Sequence, residues 1–227
     1  MCGIVGVVGS GDVAVRVLEG LRRLEYRGYD SAGIATVVNG SLDRRRAKGK
    51  IGELAARLDE SALSGDIGIG HTRWATHGVP NEINAHPHAT TKVAAVHNGI
   101  IENFSALRDE LVGNGRNFES ETDSEAIVHL ISAYLDEGDS PQLAVSRSLA
   151  RLEGAFSLAI IFAGEHDLMI GARRGSPLAV GWGQGEMFLG SDAIALASET
   201  NRVSYLEDGD WVELSRSGAI FHDAEDR

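Results

Sequence analysis

The chain opens Met1-Cys2-Gly3-Ile4-Val5-Gly6-Val7-Val8, and the reading of this stretch governs the rest. Cys2 is the only cysteine among 227 residues. A small residue at position two is what an initiator-methionine aminopeptidase tolerates, so the mature chain is expected to begin at Cys2. It would then carry a thiol and a free α-amine on one carbon skeleton. Their reference pKa values, about 8.5 and about 7.7–8.0, make proton transfer between them nearly balanced at neutral pH. Such a nucleophile uses its own amine where a triad uses histidine. A second reading also fits: an inert cysteine buried on a first strand, since free cysteine is among the most buried residue types.

Composition narrows the class. The length allows one large domain or two small ones with a sizeable core. Hydrophobic residues at 43% and charged residues at 24% are ordinary globular values. A formal net charge of −12 argues against nucleic acid or an anionic membrane surface as the main partner. One cysteine excludes an internal disulfide framework and fits a reducing compartment. There is no apolar run of about 18 residues and no basic-then-apolar leader, so a cytoplasmic protein is expected.

Outward from the first strand, Gly11-Asp12 can cap a helix carrying Ala14, Val17, Leu18, Leu21 and Leu24 at helical spacing, ending near Arg27-Gly28. Ile34 to Val38, Asn39-Gly40 and Leu42 onward read as a β-hairpin. Residues 51–58 form a short amphipathic helix. Ile67-Gly68-Ile69 is a strand, and Val93 to Val96 another that breaks at Asn98-Gly99. Asn103 can cap a helix with Leu107 and Leu111. Thr122-x-x-Glu125 is a capping-box pattern opening a helix with Ile127, Leu130, Ile131 and Tyr134. Ser140-Pro141 starts a third. From Gly154 strands follow at 155–162, 168–172, 178–182, 186–190, 202–206, 211–215 and 219–221. Short connections favour antiparallel pairing. With no linker or repeat, the chain reads as one α+β domain of stacked sheets with helices outside.

Several residues can carry chemistry. In His71-Thr72-Arg73-Trp74-Ala75-Thr76-His77-Gly78, Arg73 offers a planar fork for a carboxylate, or pairs with a structural acid. Five of the eight histidines fall between His71 and His97, which raises a metal site. Their spacings match no metal-binding helical pair, and no cysteine is near in sequence, so no metal is expected. At Asn98-Gly99 the side-chain amide and a closely approaching backbone N–H supply two donors suited to an oxyanion, though an ordinary turn has the same residues. Asp123 can meet a substrate ammonium, or simply answer the dipole of the helix it begins. Gly181-x-Gly183-x-Gly185 has the wrong spacing for a phosphate loop and no helix after it, and no cofactor is expected.

In combination these pieces resemble a known family. They are Cys2-Gly3-Ile4-Val5-Gly6, Leu21 to Gly33 (LRRLEYRGYDSAG), His71 to Gly78, Asn84-Ala85-His86-Pro87-His88, Val96 to Asn103 (VHNGIIEN), Ser120-Glu121-Thr122-Asp123, Arg173 to Leu178 and Ser191-Asp192, in this order. They are similar to the glutaminase domain of the glucosamine-6-phosphate synthase family, which are type 2 glutamine amidotransferases. The resemblance implies an N-terminal-nucleophile hydrolase fold, a four-layer αββα sandwich of two antiparallel sheets, over residues 2–227 as a single domain. It implies L-glutamine as substrate, Cys2 as nucleophile, and Asn98 with the Gly99 N–H as oxyanion hole. Arg73 would clamp the α-carboxylate and Asp123 the α-ammonium, with Thr76 and His77 lining the pocket. Trp74 would gate a passage for ammonia, and Arg27 would support the N-terminal end. The family enzyme, expected to be a homodimer, continues into a sugar-isomerase half absent from these residues, so the chain is either an excised domain or works beside a separate synthase. Two alternatives stand beside this reading. Amidotransferases of purine, asparagine or glutamate synthesis share Cys-Gly-Ile and Asn-Gly, although Tyr26 to Gly33 and Arg73 to Gly78 favour the sugar branch. A non-catalytic glutamine-binding module is the other.

Overall fold

The first strand, β1 (Gly3–Val8), is buried on both faces, and the chain is layered around it. The computed structural model describes residues 2–74 and 78–224. After β1 come α1 (Ala14–Leu24), a 3₁₀ turn at Glu25–Arg27, β2 (Ser31–Val38), β3 (Ser41–Lys48), α2 (Ile51–Glu60) and β4 (Ile67–Arg73). Then follow β5 (His88–Ala89), β6 (Val93–Ile101), α3 (Phe104–Gly113), α4 (Ser124–Glu137) and α5 (Pro141–Arg151). The last part is almost all strand: β7 (Gly154–Phe162), β8 (Met169–Arg174), β9 (Ala179–Trp182), β10 (Met187–Gly190), a 3₁₀ turn at Ala193–Ala195, β11 (Val203–Tyr205), β12 (Trp211–Ser215) and β13 (Gly218–His222).

Among the described residues two antiparallel sheets result. One has seven strands in the order β11-β9-β10-β1-β4-β2-β3, the other six in the order β13-β12-β8-β7-β6-β5. Strand periodicity sorts side chains between layers. On β1, Val5 and Val7 pack under α1 with Val17, Leu21 and Leu24, whereas Ile4 and Val8 face the second sheet. On β7, Phe156, Leu158, Ile160 and Phe162 pack against α4 residues such as Ile127 and Ile131, whereas Ala159 and Ile161 face the first sheet. Three apolar interfaces therefore join four layers, helix–sheet–sheet–helix, as the sequence resemblance implies. Among the described residues no helix is long and apolar enough to cross a membrane.

The β2–β3 hairpin turns at Asn39 (φ 50°) and Gly40 (φ 76°), the left-handed pair that a type I′ turn requires. Ser140 caps α5 by accepting from the Leu143 N–H, with Pro141 following. Four local expectations need correction. Asp12 does not cap α1; Val13 holds that position, and Asp12 Oδ1 accepts from the Gly65 N–H instead. Asn103 holds the position before α3, but its side chain bonds the Arg151 carbonyl and the Glu153 N–H rather than capping the helix. No capping box forms at Thr122. Asp123 is the residue before α4, and Glu125 reaches back to the Glu119 and Ser120 N–H groups. Strand β6 also does not break at Asn98-Gly99; it keeps pairing with β7 as far as Ile101 opposite Gly154. The two-residue strand β5 had no periodic signal to reveal it.

Candidate active site

Strand parity builds the site at one end of the layer between the sheets. Ile4 and Val8 face that layer, so the same alternation carries Cys2 to it. Ile67 and Ile69 on β4 do the same for His71 and Arg73, and Ala94 and Val96 on β6 for Asn98. Gly3 pairs with Thr72, which sets Cys2 beside Arg73 and Trp74. The Trp74 N–H donates to Cys2 Sγ at 3.2 Å, and the thiol donates to the Trp74 carbonyl at 3.6 Å. Burial pushes the Cys2 thiol pKa up, and the Trp74 N–H and the Arg73 charge pull against it.

From the second sheet, Asn98 Nδ2 donates to the Cys2 carbonyl at 3.1 Å, while Asn98 Oδ1 lies 3.0 Å from His71 Nε2. Gly99 follows at φ 122°, and a Cβ there would collide with the Ala155 carbonyl oxygen, so only glycine fits. Asp123 is buried. Its Oδ2 accepts from the Ile101 N–H at 2.8 Å and its Oδ1 from the Ser124 hydroxyl at 3.3 Å, and Ser124 in turn lies 2.8 Å from His97 Nδ1. The carboxylate is thus aimed by β6 and by its neighbour, not spent on the α4 dipole alone.

Cys2, Trp74 and Gly99 stand where two cavities meet. One, of about 450 Å³, is mostly apolar and is bordered by Arg27, Asn98, Ile100, Ser176 and Pro177. The other, about 20 Å³, is narrow and polar, with Arg73, Asp123 and Ser124 on its walls. Arg73 is buried and its Nη2 makes a long 3.5 Å contact with the Gly78 carbonyl. Burial lowers its pKa, with Cys2, Asp30 and Asp123 opposing. Trp74 is half-exposed and meets Tyr29 edge-on at 5.3 Å. Arg27 forms an ion pair with Asp192 at 2.5 Å, and the adjoining Ser191 Oγ accepts from the Ile4 N–H at 3.0 Å. The Ser191 contact holds the start of β1.

The histidines cluster around this end. His86 lies 4.2 Å from His71 and 4.7 Å from His88, ring centre to ring centre. Burial holds His71 and His88 at about 3, and His86 well below the usual imidazole range. Among the described residues no group of three or more His, Cys, Asp or Glu side chains could hold a metal ion.

Of the residues singled out in the sequence, Cys2, Arg27, Arg73, Trp74, Asn98, Gly99 and Asp123 converge here. Thr76 and His77, and also Met1, lie outside the described residues. Sequence reasoning missed the partners that hold these groups: His71 behind Asn98, Ser124 and His97 behind Asp123, and Ser191 behind β1. His71 carried one usable signal, its place two residues before Arg73 on the same strand face.

The glutamine amidotransferase domain profile matches residues 71–198, more than half of the chain. The chain belongs to the glutamine amidotransferase domain family. Relatives within it include glutamine–fructose-6-phosphate aminotransferase (isomerizing) of Brucella abortus biovar 1, 61% identical over 98% of this chain and 37% of that protein. The enzyme of the same name from Mesorhizobium japonicum is 63% identical over 97% of this chain and 37% of its own length. The chain thus spans little more than a third of the curated relatives that it matches. Among solved structures, glutamine phosphoribosylpyrophosphate amidotransferase from B. subtilis, complexed with ADP and GMP, is similar with a TM-score of 0.83 at 26% identity, covering 98% of this chain and 49% of that one. A glutamine aminotransferase class-II domain protein from Silicibacter pomeroyi shares the fold, with a TM-score of 0.67 at 18% identity over 98% and 99% of the two chains. This amidotransferase domain accordingly has the two-sheet N-terminal-nucleophile architecture.

Proposed function

We propose that this chain hydrolyses L-glutamine to L-glutamate and ammonia, as the glutaminase domain of a glutamine–fructose-6-phosphate aminotransferase. The observation that carries the reading is the position of Cys2, at the junction of an apolar and a polar cavity with Asn98 and Gly99 beside it. Once Met1 is removed, the α-amine takes the thiol proton, and sulfur attacks the side-chain amide carbon. A C–S bond forms and the carbonyl electron pair moves onto oxygen. Asn98 Nδ2 and the Gly99 N–H donate to that oxyanion, their preorganised dipoles lowering the barrier as charge develops. Collapse breaks the C–N bond, the amine's proton leaves with nitrogen as ammonia, and a thioester remains. Water, deprotonated by the amine, then attacks the thioester, releasing glutamate and restoring the thiol.

The polar cavity suits the amino-acid end of the substrate. Arg73 would bind the α-carboxylate and Asp123 the α-ammonium, with Thr76 and His77 completing the pocket. The apolar cavity on the other side, with half-exposed Trp74 at its edge, suits the departing neutral ammonia. Arg27, through Asp192, would keep the N-terminal strand in place. In the full-length enzyme, inferred to be a cytoplasmic homodimer, a sugar-isomerase domain would receive the nitrogen and convert fructose 6-phosphate to glucosamine 6-phosphate. Residues 2–227 would form one glutaminase domain of it.

The test compares glutamine with its desamino and decarboxylated analogues on the wild-type chain, Arg73→Ala and Asp123→Ala. Loss of either charged group should lower kcat/KM, because it removes a charge-assisted hydrogen bond inside a buried site. Removal of the carboxyl group should hurt more than removal of the amine, since a guanidinium can grip a carboxylate with two parallel hydrogen bonds. That difference should shrink in Arg73→Ala. Equal efficiency for all three compounds on the wild-type chain would refute these assignments.

A further inference from the structure

Asn98 can serve an oxyanion only if its amide nitrogen faces the reaction. An asparagine amide can rotate by half a turn and exchange oxygen for nitrogen. Two contacts decide between these states here. The Cys2 backbone carbonyl can only accept, so at 3.1 Å it must face Nδ2. That leaves Oδ1 facing His71 Nε2 at 3.0 Å, and an amide oxygen can only accept, so this ring nitrogen must carry the proton. Both side chains are buried, on strands of different sheets, and 27 residues separate them in sequence. A rotated Asn98 would press oxygen against the Cys2 carbonyl, and would need His71 in its other tautomer.

We infer that His71 is a positioning residue: its Nε2–H fixes the Asn98 amide so that the second Nδ2 hydrogen is presented to the substrate oxyanion. This rests on the glutaminase reading of the site. Burial holds the His71 pKa at about 3, so the ring stays neutral, keeps its one N–H hydrogen bond through the working pH range and transfers no proton in the reaction. Its other nitrogen, Nδ1, is buried with no hydrogen-bond partner among the described residues, beside the His86 ring at 4.2 Å between centres.

The test uses the whole chain beginning at Cys2, with His71→Gln, which reaches the Nε2 position with an amide N–H, and His71→Asn, which falls short of it. His71→Asn should lower kcat by about 10- to 100-fold with KM changed by less than about threefold, part of the roughly 10²–10³-fold expected from losing the donor outright. His71→Gln should recover kcat to within about fivefold of wild type, with a superimposable pH profile. On an Asn98→Ala background, His71→Asn should cost less than about twofold more, because the group it positions is gone. Equal losses in the two His71 variants, a shifted pH profile in His71→Gln, or full additivity with Asn98→Ala would overturn the proposal. Should His71→Asn not fold, His71→Gln decides alone: a folded variant more than about fivefold slow contradicts the assignment. Long-range ¹H–¹⁵N NMR of the ring nitrogens gives a reading independent of turnover. His71 protonated on Nε2 between pH 5 and 8 supports it, and protonation on Nδ1 overturns it even if glutamine is not the substrate.

Discussion

At the scale of single residues, the two proposed oxyanion donors differ in what they tolerate. Asn98 donates through a side chain, so Asn98→Ala removes the donor while the backbone path of β6 persists. Its kcat should fall by about 10²–10³-fold, with a smaller change in KM, because the donor matters most as charge develops. The deletion also strands the His71 N–H and the Cys2 carbonyl, so about 1–3 kcal/mol of stability should go with it. Gly99 donates through the backbone, and its φ of 122° together with the Ala155 carbonyl leaves no room for a Cβ. Gly99→Ala should therefore lose more stability than Asn98→Ala, since strain of about 1–3 kcal/mol is added to a backbone collision. Urea unfolding and steady-state kinetics on both variants check the pair. An unchanged kcat with weakened binding in Asn98→Ala would make Asn98 a ground-state contact instead.

At the scale of elements, the turn that leads into α4 depends on one buried carboxylate. Burial pushes the Glu125 pKa up, but hydrogen bonds from His129, Ser120 and the Glu119 and Ser120 N–H groups outweigh it and hold it at about 2. The unfolded chain takes up this proton near the ordinary value of 4.5 and the folded chain only near 2. Stability from Glu125 is therefore fully present above about pH 4.5 and is lost as pH falls toward 2. Glu125→Gln should cost on the order of 3 kcal/mol at neutral pH. Urea unfolding should show a constant gap from wild type between pH 7 and 5.5 that narrows below 4.5; a gap independent of pH would assign the loss to packing alone. The same region marks how far the sequence is legible. The strands announced themselves through apolar alternation between turn residues, and the hairpin through Asn39-Gly40. The helix at 124 was visible too, but not its start, because Glu125 could answer either Thr122 or the Glu119–Ser120 backbone. Asn98-Gly99 looked like a strand end because those residues usually make turns. Pairing with β7 carries β6 straight through them, and no local pattern encodes that pairing. Cys2, Arg73, Asn98 and Asp123 could be picked out by residue type and resemblance. The contacts His71–Asn98 and Ile4–Ser191 could not, since they join segments 27 and 187 residues apart.

At the scale of the whole molecule, the site is shared between the sheets. Cys2 and Arg73 come from the first and Asn98 and Gly99 from the second, so the distance between the proposed nucleophile and its proposed donors is set by the apolar layer of Ile4, Ile69, Val96 and Ile161. Close packing gives that layer little freedom to slide. The outer layers keep it in place, with Phe188 buried under α1, and Phe156 and Phe162 under the helices of the second sheet. Each such side chain contributes about 1.5–3 kcal/mol. The central claim is that a processed Cys2 is the nucleophile within this frame. The most direct measurement is acid quenching during glutamine turnover, followed by intact-mass analysis and peptide mapping. The account predicts a glutamyl thioester on Cys2 in chains that begin at Cys2, and none in chains that retain Met1. A glutamyl group on any other residue, or equal labelling of chains that retain Met1, would contradict it.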